Sequence, residues 1–91
     1  MSLISKSVLI TNRRGLHARA SAKFVTMASG LGIIIDVEKD GSKVVGTSIM
    51  GLMMLGAAMG DTITISAQGE GAGAAVESLV SLVEAKFHES E

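Results

Sequence analysis

The stretch NRRGLHARASAKF, residues 12–24, sets one histidine, His17, between a glycine-led turn and the start of an apolar-periodic segment. Arg13, Arg14, Arg19 and Lys23 surround it in the chain, and the stretch contains no carboxylate. Gly15 admits backbone angles that a side chain forbids, so it can turn the chain and bring His17 to the N-cap or first turn of a helix. Unpaired amides and the positive dipole end make such a position an anion site, and Arg19 adds a guanidinium fork. Positive surroundings disfavour the imidazolium and leave a neutral, nucleophilic ring near pH 7. A phosphoryl group suits both a nucleophile and the donors beside it.

Other chemistries fit less well. On residue chemistry alone, a histidine near a helix start is more often an ordinary cap or surface residue than a nucleophile. Metal binding has only His88 as a second imidazole, close to the end of the sequence, and no metal or cofactor is expected. No G-x-S-x-G elbow supports a serine triad.

The elements that must position His17 are legible from periodicity and turn chemistry. LISKSVLI, residues 3–10, reads as a strand closed by the turn-prone Asn12 to Gly15. From Ala18, the residues Ala20, Phe24, Val25 and Ala28 return at helical spacing, and the glycines of SGLG, residues 29–32, end the helix. IIIDVE and SKVVG flank Lys39, Asp40 and Gly41, a hairpin in which Asp-Gly takes the positive φ angles. Thr47 or Ser48 caps a short apolar helix that Gly56 terminates. In DTITISAQG, Ile63, Ile65 and Ala67 point inward while Thr62, Thr64 and Ser66 point outward. A last helix repeats Ala72, Ala75, Val76, Leu79, Val80, Val83 and Phe87 along one stripe. The tight hairpin and short connections favour an antiparallel or mixed sheet with its helices on one face, an α/β (α+β) open-faced sandwich.

Composition bounds the rest. Ninety-one residues are expected to fold as one domain with a core of their own. The absence of cysteine fits a reducing compartment. The opening MSLISKSVLI lacks a signal-peptide pattern, and no apolar run is long enough to span a bilayer, so a cytoplasmic protein without membrane insertion is expected. Net charge is -1, but Lys6, Arg13, Arg14, Arg19 and Lys23 crowd the first quarter. Asp61, Glu70, Glu77, Glu84, Glu89 and Glu91 face only Lys86 beyond residue 60. Two aromatics and no basic excess argue against nucleic acid, and the basic end suits an acidic protein partner.

GLHARASAKFV, then TSIMGLMMLG, then GDTITISAQG, in that order and at that spacing, resembles the histidine-containing phosphocarrier (HPr) family of the bacterial phosphoenolpyruvate-dependent phosphotransferase system. The resemblance covers nearly the whole chain. It implies a four-stranded antiparallel sheet covered on one face by three helices. It also implies a carrier, not a self-sufficient enzyme, that takes a phosphoryl group from enzyme I and passes it to a IIA protein or domain. Mapped residue by residue, it makes His17 the phosphorylated residue, through Nδ1, and Arg19 its helper, with Gly15, Ala18 and Arg19 around the phosphate. Ala20 stands where many members have the proline of H-A-R-P, which is similar to the nitrogen-related branch (NPr), so both a sugar-uptake role and a regulatory relay are open. Ser48 opens the S-I-M-G motif, in which part of the family is phosphorylated by a serine kinase/phosphorylase.

The expected partner surface comprises Ala20, Lys23, Phe24, Ile49, Met50 and Met53, with Leu52 and Leu55 turned to the core. Thioether side chains suit an adaptable docking patch, and Arg13, Arg14 and Lys23 would steer encounter. The chain is expected to act as a monomer.

Overall fold

The computed structural model describes residues 3–89, and Glu91 of the acidic group lies outside them. In chain order the elements are β1 (Leu3–Leu9), α1 (Ala18–Gly30), β2 (Ile35–Lys39), β3 (Ser42–Val45), α2 (Ile49–Met54), β4 (Thr62–Gln68) and α3 (Ala72–Glu84), followed by a short 3₁₀ turn, Lys86–His88. The strands form one sheet in the order β1-β4-β2-β3 with every neighbouring pair antiparallel. The three helices cover one face, giving the open-faced sandwich.

Strand alternation builds the core. Val8, Ile35, Val37, Ile63, Ile65 and Ala67 point into the helix layer and are buried, while Ser7 and Thr64 pair their hydroxyls at 3.0 Å on the opposite face. Phe24 of α1 and Leu79, Val80 and Val83 of α3 close the core from above, with Leu52 and Leu55 supplied by α2 and its end. Gly46 is required where β3 meets this layer, because a Cβ there would stand 2.8 Å from Ile35 Cγ2 and 3.2 Å from Phe24 Cε1. Asp40 and Gly41 take φ of 50° and 84°, as the hairpin reading anticipates. Among the described residues, no helix is long and apolar enough to cross a membrane.

One expectation is corrected at the end of α3. The stripe reaches Phe87 by spacing, but the helix stops at Glu84, and Lys86, Phe87 and His88 all have left-handed φ, between 56° and 57°. Phe87 is fully buried all the same, because the turned chain folds its ring back under α1 and α3 instead of carrying it along the helical stripe.

Candidate functional site

The loop between β1 and α1 is pinned to the segment before β4. Ile10 N–H donates to Asp61 O (2.8 Å), Gly60 N–H to Ile10 O (2.8 Å) and Leu16 N–H to Ala57 O (2.9 Å). Gly15 sits inside this clasp with φ of 63°, and a Cβ on it would overlap the Ala57 carbonyl and lie 2.8 Å from Ala58 Cα. Both the backbone angle and the available space demand glycine. Ser21, also buried, donates from Oγ to Leu16 O at 3.2 Å and holds the loop from the helix side.

His17 is the N-cap of α1, with extended backbone angles, and its Nδ1 accepts a hydrogen bond of 3.3 Å from Arg19 N–H. The other ring nitrogen, Nε2, lies 2.6 Å from Glu89 Oε2, and the two side chains are only 14% and 10% exposed. Asn12, fully buried, donates from Nδ2 to Gly15 O (2.8 Å) and to Glu89 Oε1 (3.2 Å). Burial pushes the Glu89 carboxyl up, but the hydrogen bonds from His17 and Asn12, with the positive charge of Lys23, outweigh it and hold the group below its ordinary value.

These contacts fit a ring with its hydrogen on Nε2. Nδ1 faces an N–H donor and therefore presents its lone pair, whereas Nε2 faces an ionised carboxylate and therefore carries the hydrogen. Nδ1 is the ring nitrogen turned toward the start of a helix whose first amides have no intrahelical acceptor. The arrangement can bond an electrophile at Nδ1 and surround its oxygens with the amides of Ala18 and Arg19. Arg19 itself is exposed at the mouth.

His17 stands at the cap and Gly15 in the turn, as the spacing predicts. The stretch around His17 contains no carboxylate, and the fold supplies one, Glu89, from 72 residues away. Asn12, read only as a turn former, bridges the turn and this acid. Ala20 and Phe24 are also corrected: both are fully buried on the inner face of α1 and belong to the core, so they cannot form a docking surface. Lys23 is half-buried and donates from Nζ to Phe87 O at 2.6 Å.

Ser48 caps α2, its Oγ accepting from Gly51 N–H at 2.9 Å. Ile49, Met50 and Met53 are exposed and Leu52 and Leu55 buried, and Met54, outside the expected surface set, is the most exposed of the helix at 79%.

The family model for the PTS HPr component phosphorylation site matches residues 4–85. Phosphocarrier protein NPr of Shewanella violacea is 39% identical over 90 residues, covering 99% of this chain and 99% of the relative. Phosphocarrier protein HPr of Neisseria meningitidis serogroup A is 43% identical over 89 residues, covering 98% of this chain and all of the relative. The crystal structure of HPr-C-His from Thermoanaerobacter tengcongensis superimposes with a TM-score of 0.88 at 43% identity, each chain fully covered. Fold, matched motif and relatives define a phosphocarrier that works through a phosphohistidine intermediate, without completing a catalytic cycle alone. The chain belongs to the HPr family, and it carries phosphoryl groups from enzyme I toward IIA or regulatory partners of the phosphotransferase system.

Proposed function

We propose that the 91 residues form one cytoplasmic, monomeric phosphocarrier domain in which His17 Nδ1 is the atom that carries the phosphoryl group. The lone pair on Nδ1 attacks the phosphorus of phospho-enzyme I, the donor's bond to phosphorus breaks, and its electron pair returns to the donor. The amides of Ala18 and Arg19 and the Arg19 guanidinium take up the phosphoryl oxygens, and the Gly15 turn leaves room for their approach. The carrier then presents the group to a IIA protein or domain, which attacks the same phosphorus. Transfer onward requires that these donors favour the transfer state over the stored phosphoramidate.

The observation that carries this reading is the capping bond from Arg19 N–H to His17 Nδ1, which marks the site where an anion can replace a neutral acceptor. Partner docking falls to Ile49, Met50 and Met53, joined by Met54, with Arg19 and Lys23 at the rim. Ser48 is a site for regulatory phosphorylation by a serine kinase/phosphorylase, because it opens a helix beside that exposed surface.

Incubation with enzyme I and phosphoenolpyruvate tests the assignment. Wild-type protein acquires an acid-labile, alkali-stable phosphate that H17A lacks, and the labelled protein passes it to IIA. Labelling of H17A to the wild-type level contradicts it. A second reading, a nitrogen-related regulatory relay, draws on the NPr relative. Parallel transfer assays against sugar-specific and nitrogen-related IIA proteins separate the two by which acceptor is phosphorylated faster.

A further inference from the structure

We infer that Glu89 is a positioning residue for phosphoryl transfer: its carboxylate holds the His17 ring in the tautomer that leaves Nδ1 bare. This rests on the reading of His17 as the phosphoryl acceptor. Glu89 lies beyond the residues that the family model matches, which end at 85.

The geometry has three independent parts. First, Glu89 Oε2 is 2.6 Å from Nε2 in a place where both side chains are largely shielded, so the bond is not competed away by bulk water. Second, the acid is itself oriented, since its other oxygen accepts from Asn12 Nδ2, and the same Nδ2 is fixed by Gly15 O. The turn that shapes the site and the acid that orients the ring thus share one amide. Third, the chain adopts an unfavourable path to bring Glu89 there. Lys86, Phe87 and His88 are consecutive non-glycine residues in the left-handed region, which side chains disfavour. Burial of Phe87 and the Lys23 hydrogen bond to its carbonyl offset that cost. A helix continued past Glu84 would carry no such strain.

The carboxylate acts in both directions of transfer. As Nδ1 bonds to phosphorus, the proton remains on Nε2 and the ring becomes cationic. An adjacent anion offsets the charge that develops. When the group leaves, the Nδ1–phosphorus bond breaks, its electron pair returns to Nδ1, and the ring regains the neutral form with hydrogen on Nε2. Without Glu89 the neutral ring can place its hydrogen on Nδ1, where it blocks attack and collides with Arg19 N–H. Lys23, on α1, adds positive charge that favours the ionised carboxylate, beside the hydrogen bonds from His17 and Asn12.

E89A and E89Q test the role, with transfer from enzyme I measured at saturating and limiting carrier and the ring tautomer read from His17 ¹⁵N shifts by NMR. In wild-type protein the neutral ring shows a single form with hydrogen on Nε2. E89A shows mixed tautomers and transfers about tenfold more slowly at saturation, by analogy with other histidine-orienting carboxylates, with KM within about twofold. E89Q, which keeps an acceptor oxygen but no charge, retains the single tautomer and recovers part of the rate. A wild-type tautomer and rate in E89A overturn the inference, as does a slowed E89A whose tautomer is unchanged. H17A run alongside separates the two levels: if it labels, the acceptor assignment fails and this role with it. If H17A is dead and E89A is normal, only the role of Glu89 fails.

Discussion

Lys23, on the helix that His17 caps, donates a 2.6 Å hydrogen bond from Nζ to the carbonyl of Phe87, two residues before the acid that reaches the His17 ring. One cation therefore ties the turned C-terminal segment to α1. Replacement by methionine keeps most of the apolar stem but removes the donor, leaving a carbonyl in a left-handed turn without its partner. K23M is expected to lose about 1 kcal/mol of stability, lowering Tm by about 5 °C in thermal unfolding, and to loosen Glu89 from His17. An unchanged Tm would show that the turn holds without this bond.

Gly15 is where the site depends on having no side chain. Alanine there must adopt φ of 63° and press its Cβ into the Ala57 carbonyl and against Ala58 Cα. G15A is expected to cost about 2–3 kcal/mol in urea unfolding and to reduce phosphorylation of His17 by displacing the cap. Serine at Gly60, a loop glycine with open space around it, would be the contrasting control, strained only by its φ of 95°.

The depressed Glu89 carboxyl links stability to pH with a definite sign. Its value in the folded chain lies below the ordinary 4.5, so the unfolded chain binds the proton more readily. The stabilisation is complete above about pH 4.5 and disappears as pH falls through the lower folded value. E89Q has no such contribution. The wild-type advantage over E89Q, followed by urea unfolding, should shrink as pH falls below about 4.5, whereas an advantage that grows below that pH would reverse the assignment.

Much of the fold and of the site is legible in the sequence. Asp40-Gly41, the inward Ile63, Ile65 and Ala67, and the cap at His17 are local matters of turn chemistry and period, which short stretches of sequence encode directly. The stop of α3 at Glu84 was not, since Phe87 satisfies the helical spacing and only the three-dimensional path shows that its ring is buried by a reversed turn. Glu89 was hidden for a related reason: spacing along the chain carries no information about a contact 72 residues distant. Ala20 and Phe24 are legible as core from their helical period, and nearness to His17 in the chain does not bring them to the surface.

Ser48 offers a regulatory test. Its Oγ already accepts from Gly51 N–H, so an acidic group there keeps the cap while adding charge beside exposed Ile49 and Met50. S48D is expected to retain wild-type stability within about 0.5 kcal/mol but to slow transfer from enzyme I through a higher KM, because the negative charge opposes an acidic partner. S48A should show the converse, a loss of about 1 kcal/mol with transfer unchanged. Equal kinetics for wild type and S48D would remove the regulatory assignment.

The claim beneath the rest is that the nitrogen bonded to phosphorus is Nδ1 of His17. Phosphorylation of ¹⁵N-histidine protein by enzyme I and phosphoenolpyruvate, followed by ³¹P–¹⁵N correlation NMR, reads that bond directly. The account predicts one coupling, to His17 Nδ1, with Nε2 still carrying its hydrogen. Coupling to Nε2, or phosphate on His88, would contradict it.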